Sequence, residues 1–242
     1  GINLDGASVF QNDVKGNLIG TNATGTAAVG NTRHGLIMQA GAGVRVIGGT
    51  TLGERNIISG NGNSGIVVTG ANSGNATISG NFIGVDAVNG NAAVGAQPVG
   101  VLPEAASNRN LIGGATAADR NIISGNSQHG VQVTGANTTA NVIGGNYIGL
   151  ESGGNTAVPN GLNGVLIETA AHGNTVGFVA SLTSGNVISA NGTAAAPVVD
   201  DGNGIWVRGT NNHIIVGNIV GLDAGGTSRI LAVIRTVAAQ GV

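Results

Sequence analysis

Apolar positions along this chain fall in short clusters of mostly β-branched residues, each fenced by Gly, Asn or Thr. Gly35-Leu36-Ile37-Met38 is followed by Val44 to Gly49, and then by Asn56-Ile57-Ile58-Ser59-Gly60-Asn61. Gly65-Ile66-Val67-Val68, Asn75 to Gly80 and Asn81-Phe82-Ile83-Gly84 continue in the same manner. Runs of this size and punctuation predict short strands. Helix is excluded over them, because Gly falls every few residues and costs about 1 kcal/mol at each interior position.

The clusters repeat. Asn56 to Asn61 returns as Asn121 to Asn126 and as Asn186-Val187-Ile188-Ser189-Ala190-Asn191, a step of 65 residues each time. Gly35-Leu36 returns as Gly100-Val101 and Gly164-Val165, and the pairs Gly16-Asn17, Gly80-Asn81, Gly145-Asn146 and Gly217-Asn218 keep the same rhythm. The last interval is stretched by an insertion, Thr193 to Asn203. Each long repeat divides into two coils of three strands.

Strands this short need partners above and below, which coils stacked at about 4.8 Å supply. Inward Ile and Val then form continuous columns. Asn61, Asn126 and Asn191 recur at one turn, where an Asn takes left-handed geometry and bonds to the next coil. The expectation is an all-β, right-handed parallel β-helix of about seven coils over residues 1–226. Residues 227–242 form a C-terminal cap segment. In it Ile230, Leu231, Val233, Ile234 and Val237 have helix-like spacing. The repeat is expected to stop after Asp223, with Thr227 or Ser228 as N-cap of a capping helix; an irregular final strand is the alternative. Gly1-Ile2 aligns with Gly35-Leu36, so the chain opens at a coil boundary without a cap. That predicts a piece of a longer protein or an end covered by another subunit.

Composition supports this reading. Gly contributes 46 of 242 residues, charged residues are 8% and aromatics 2%. There is no Gly at every third position, as collagen needs, and the recurring Ile and Val exclude a disordered linker. A net charge of −2 with scattered basic residues gives no footprint for nucleic acid. No apolar run approaches the roughly 18 residues of a membrane span. Cys is absent, which excludes a disulfide scaffold and a thiolate metal site.

The run Asn17-Leu18-Ile19-Gly20-Thr21-Asn22-Ala23-Thr24-Gly25-Thr26-Ala27-Ala28-Val29-Gly30-Asn31 resembles the pectate-lyase-like right-handed β-helix superfamily. Ile47-Gly48-Gly49-Thr50-Thr51 and Arg55 to Asn61 do so too. More narrowly, these runs resemble repeats of large bacterial surface proteins of adhesin type. The resemblance covers residue 1 to about 225 and rests on turn and ladder residues. It implies the fold. The superfamily holds lyases, glycoside hydrolases, epimerases, phage tailspikes and non-catalytic adhesin stalks, so it does not select a function.

Strand alternation supplies candidates for function. With Ile66 and Val68 inward, Val67 faces out, as do Ile37, Leu102, Gln132, Leu166 and Trp206. An apolar stripe of this kind marks an interface, here Ile37, Val67, Leu102, Leu166 and Trp206, through which self-association is expected. The next outward column reads Gln39, Thr69, Glu104, Thr134, Glu168 and Arg208. Glu104 and Glu168 would lie about 9.6 Å apart at the backbone, near the upper limit for an inverting glycosidase. Trp206 is placed to stack on a sugar. A Glu168–Arg208 surface ion pair, with Trp206 packed under the insertion, is the structural alternative. Asp200-Asp201-Gly202 and Gln128-His129-Gly130 look faintly like the Asp pair and Gly-His-Gly of polygalacturonase-like members. A turn histidine and a solvated insertion loop are the preferred account, because the Asp pair lies about two coils from His129 and no third acidic residue completes the motif. A third column, Asp86, Glu151 and Asp223 with Asn22 equivalent, precedes glycine-rich loops. Loop anchoring explains it, whereas calcium, the one cofactor it would suit, needs several convergent oxygens. No metal site is predicted. The resulting expectation is a non-catalytic extracellular or cell-surface bacterial module, a stalk or a carbohydrate-binding surface. The alternative is a polysaccharide lyase or hydrolase with a cleft along the first strand row, using Glu104, Glu168, Arg208, Asp200 or Asp201.

Overall fold

The computed structural model describes residues 1–178, 185–192 and 202–230. The chain is a right-handed parallel β-helix in which three parallel sheets of seven strands each receive one strand per coil. The first sheet runs from Ile2–Asp5 to Ile205–Val207, the second from Phe10–Val14 to Ile214–Val216, and the third from Leu18–Ile19 to Ile219–Val220. Ile57, Ile122 and Val187 share the third sheet, as their spacing predicts, with Phe82 and Tyr147 interleaved between them.

Alternation along each strand sends columns into the interior, one from each of the second and third sheets and two from the first, where Met38, Val68, Val133 and Ile167 run beside the leading column. Leu36, Ile66, Val101, Val131 and Val165 form the first, and Ile47, Ile78, Ile112, Ile143 and Val176 the second. Ile58, Ile83, Ile123, Ile148 and Ile188 form the third, and all of these residues are fully buried. Like stacks on like, so the core is a set of aliphatic columns. Where strands turn, close approach demands glycine: Gly113 sits at φ 97°, and a Cβ there would collide with the Gly144 carbonyl.

Asparagine ladders run beside this core. The longest links Asn17, Asn56, Asn81, Asn121, Asn146, Asn186 and Asn218, each side-chain amide donating to the next carbonyl oxygen at 2.8–3.0 Å. The same amides donate to backbone carbonyls such as Val14, Ile47 and Ile78. The turn predicted to hold Asn61, Asn126 and Asn191 carries a second ladder, in which Asn31, Gln97 and Asn160 fill the alternate coils. A net contribution of about 1 kcal/mol per buried bond makes such a ladder a large share of the stability of one coil.

A second apolar layer lies outside the third sheet. Ile57, Phe82, Ile122, Tyr147 and Val187 face away from the main core, yet they are buried against Val85, Leu150 and Val158. Those partners belong to loops that every second coil sends back over the sheet. Val85 bridges Ala93, and Leu150 bridges Ala157, in antiparallel sense. Arg55 and Arg120 lie 4.0 Å above the rings of Phe82 and Tyr147 and complete the cover.

The same loop geometry corrects the expected C-terminal boundary. Asp223 accepts from the Thr227 amide at 2.8 Å, Leu222 bridges Arg229, and the Ile230 amide donates to Gly221. The repeat therefore continues to Ile230, and Thr227 and Ser228 belong to a loop rather than to a helix N-cap. An acidic residue that gathers the amides of its own loop fixes this form, as Asn22 does for Thr26 and Ala27. The rest of the cap segment, residues 231–242, lies outside the described residues.

Candidate functional site

The outward face of the first sheet carries the predicted stripe on one line. Register pairs Ile37 with Val67, Val67 with Leu102, Gln132 with Leu166 and Leu166 with Trp206. Exposure along it is uneven: Val67 is 1% and Leu166 2% exposed, whereas Ile37, Leu102 and Trp206 are half-buried. The cost of water contact is therefore confined to the other three.

Around Leu166 and Trp206 a polar group closes. Glu168 accepts from the Gln132 amide at 2.7 Å and, on its other oxygen, from Arg208 at 2.6 and 2.9 Å. Arg208 stacks over the Trp206 ring, 4.3 Å from its centroid. Burial alone would raise the Glu168 pKa; the hydrogen bonds from Arg208 and Gln132, with the Arg208 charge, outweigh it and hold the carboxyl below its ordinary range. Such a group is fixed as an anion, the state of a positioned ion pair and not of a proton donor. Glu104 stands in the same column two positions away, with Thr134 between them. Asp200 and Asp201 lie outside the described residues, as does most of the insertion expected to cover Trp206.

His129 lies two residues before the strand Val131–Thr134 that carries Gln132 and is 8% exposed. Its Nδ1 accepts from the Asn163 amide at 3.3 Å, and Asn203 in turn donates to the Asn163 side chain at 3.0 Å. Desolvation pushes its pKa down to about 4; Glu168 opposes this and Arg208 adds to it. The imidazole is thus a neutral acceptor that ends a ladder.

In the acidic column, Asp86 accepts from the amides of Val88, Asn89 and Ala92 at 2.7–3.1 Å, and Glu151 from those of Gly153, Asn155 and Thr156. These carboxylates are occupied by their own loops. Among the described residues no three His, Asp or Glu side chains converge as a metal site, and no helix is long and apolar enough to cross a membrane.

Comparison with protein-family models, with curated proteins and with solved structures finds no match. Function has to be read from the residues themselves. Sequence reasoning located Glu168, Arg208 and Trp206 together but missed Gln132 as the second holder of Glu168. Its position between Leu102 and Leu166 in an otherwise apolar column was the available signal.

Proposed function

We propose that this chain is a non-catalytic β-helix module of the pectate-lyase-like superfamily, displayed outside a bacterial cell as a rigid stalk with a carbohydrate-binding face. The observation that carries the reading is the Gln132–Glu168–Arg208 group beside Trp206. It fixes a carboxylate as a hydrogen-bond acceptor and braces a half-buried indole, and it leaves the patch without net charge. Planar polar groups next to an aromatic ring are the usual grip on a sugar: the ring meets the apolar face and the polar groups meet the hydroxyls. Seven coils at about 4.8 Å give roughly 30 Å of rod, braced along its length by the asparagine ladders.

A glycan-array screen, run together with assays for reducing ends and for unsaturated products, tests the proposal. The expected result is binding that Trp206→Ala reduces, with no product formed. Cleavage of any uronate or neutral polysaccharide, abolished by Glu104→Gln or Glu168→Gln, would establish the enzyme instead.

A further inference from the structure

Beyond the outward face, a groove of about 400 Å³ opens at the corner where the first sheet turns into the second, between the sixth and seventh coils. It is lined by Ala170, Ala171, His172, Gly209, Thr210 and Asn211. Its volume lies in the ~300–1,000 Å³ range of small-molecule sites. No residue that lines it is an acid, a lysine or an arginine, and the nearby Arg208 is paired with Glu168 at 2.6 Å.

The hydrogen-bond pattern behind the groove orients its polar groups. The Asn174 amide donates to His213 Nδ1 at 3.2 Å, so the ring hydrogen of His213 sits on Nε2. That nitrogen lies 2.9 Å from Thr210 Oγ1. The hydroxyl oxygen therefore accepts, and its own hydrogen is left to donate. Burial, the dominant influence, keeps the His213 pKa below its usual value and the ring neutral. On the neighbouring rung, whose Ala170 amide donates to the Gly209 carbonyl at 3.3 Å, His172 Nδ1 lies 3.4 Å from the Ala170 carbonyl, which only accepts. In the neutral ring this contact puts the hydrogen on Nδ1 and makes Nε2 the acceptor. The wall itself is held in a costly shape, with Thr169 and Ala170 both in the left-handed region at φ 54° and 60°. Together the groove offers a donor, an acceptor, the two-way amide of Asn211 and a lining otherwise of Ala and Gly.

We propose that this corner groove seats one neutral pyranose unit, held through a vicinal pair of hydroxyls. Each hydroxyl of such a pair both donates and accepts, which matches a donor at Thr210 and an acceptor at His172 on neighbouring hydrogen-bonded rungs, and the small Ala and Gly residues of the lining suit the C–H face of the ring. The absence of a lining charge selects against uronates and phosphates. The proposal rests on the saccharide-binding reading above and names a second seat, separate from Trp206.

The test is titration of the ¹⁵N-labelled chain with glucose, galactose, mannose and N-acetylglucosamine, with galacturonate in parallel. At least one neutral sugar should give saturable amide shifts at residues 170–172 and 209–211. Thr210→Val, which keeps the shape and removes the donor, should weaken that binding about tenfold, as loss of one good hydrogen bond does. Thr210→Ser should restore it, and the unperturbed spectrum of each variant checks the fold. Shifts confined to the surroundings of Trp206, or full affinity in Thr210→Val, overturn the groove and leave the outward face standing. Equal binding of galacturonate overturns the selection for neutral sugars. No saturable shift with any sugar overturns the groove together with the reading it rests on.

Discussion

Asn121 donates its side-chain amide to Asn146 across a coil boundary at 2.9 Å, and to the Ile78 carbonyl at 2.7 Å. Its carbonyl oxygen accepts the main-chain and side-chain amides of Asn81, each at 3.0 Å. Every one of these groups is buried. Asn121→Ala therefore strands several polar atoms at once, at about 1–3 kcal/mol each, and relaxation of the coil recovers only part of that. The expected loss is at least about 3 kcal/mol in denaturant unfolding, whereas Asn89→Ala in an exposed loop should stay within about 0.5 kcal/mol. Equal effects at the two sites would show that the ladder does not brace the coils.

The layer outside the third sheet should come apart separately from the core. Phe82→Ala removes a ring that fills the space between Ile57, Ile122 and the loop residue Val85. A cost of about 3–5 kcal/mol follows for a buried Phe, carried by the loops and not by the ladders. Hydrogen exchange should accelerate over residues 84–95, while amides of the inward residues Ile83 and Ile123 stay protected. Ile123→Asp, which buries a charge in the main core, should prevent folding. Ile122→Asp should instead open the outer layer on a folded rod. Uniform loss of protection in Phe82→Ala would mean that the two layers are one cooperative unit.

Much of this architecture is legible in the sequence, and its gaps have one physical cause. Partners in neighbouring coils lie 25 residues apart from Asn56 to Asn81 and 40 apart from Asn81 to Asn121. Together these make the 65-residue step that the eye finds between Asn56 and Asn121. The period therefore pairs every second coil and hides the interleaved partners, which is why Gln97 was not placed in the ladder of Asn61 and Asn126. The inward columns were readable because Ile and Val repeat in kind. The outward third-sheet column was not, since nothing local marks Phe82 as covered by a loop from its own coil. The corner groove was equally hidden, because His172 and Thr210 come from separate coils and neither belongs to a motif.

Acid should loosen the molecule through His129 first. Its folded pKa is about 4 against about 6.5 in an unfolded chain. The neutral ring is favoured by folding, so this contribution is complete above about pH 6.5 and is lost as pH falls towards 4. The gap corresponds to roughly 3 kcal/mol. His34 and His213 are shifted the same way by burial and steepen the same window. The paired carboxylates, with Asp13 lowered to about 2 mainly by its Arg45 hydrogen bond, act only at lower pH. His129→Asn keeps an acceptor for Asn163, since Asn already occupies the next two positions of that column, and removes the titration. Its stability should vary less between pH 6.5 and 4 than that of the unsubstituted chain; identical pH profiles would refute the assignment.

Glu168 gives the sharpest reading of the outward face, because two opposed effects set its pKa. Burial raises it, and the bonds and charge supplied by Arg208, with help from Gln132, lower it further than burial raises it. Arg208→Met removes the charge and both guanidinium bonds and leaves the aliphatic stem over Trp206. Desolvation then faces only the Gln132 amide, so the Glu168 pKa should rise from below the ordinary carboxylate range. Gln132→Met should move it upward by less, because a neutral donor favours the anion less than a paired cation does. Carboxyl ¹³C shifts of labelled glutamate, followed through a pH titration, read both variants directly. The exposed partner makes the ion pair a minor contributor to stability, so neither change should alter the fold. A Glu168 pKa that stays low in Arg208→Met would mean that the ion pair does not hold this carboxylate. The braced, neutral patch on which the saccharide-binding face rests would then be lost.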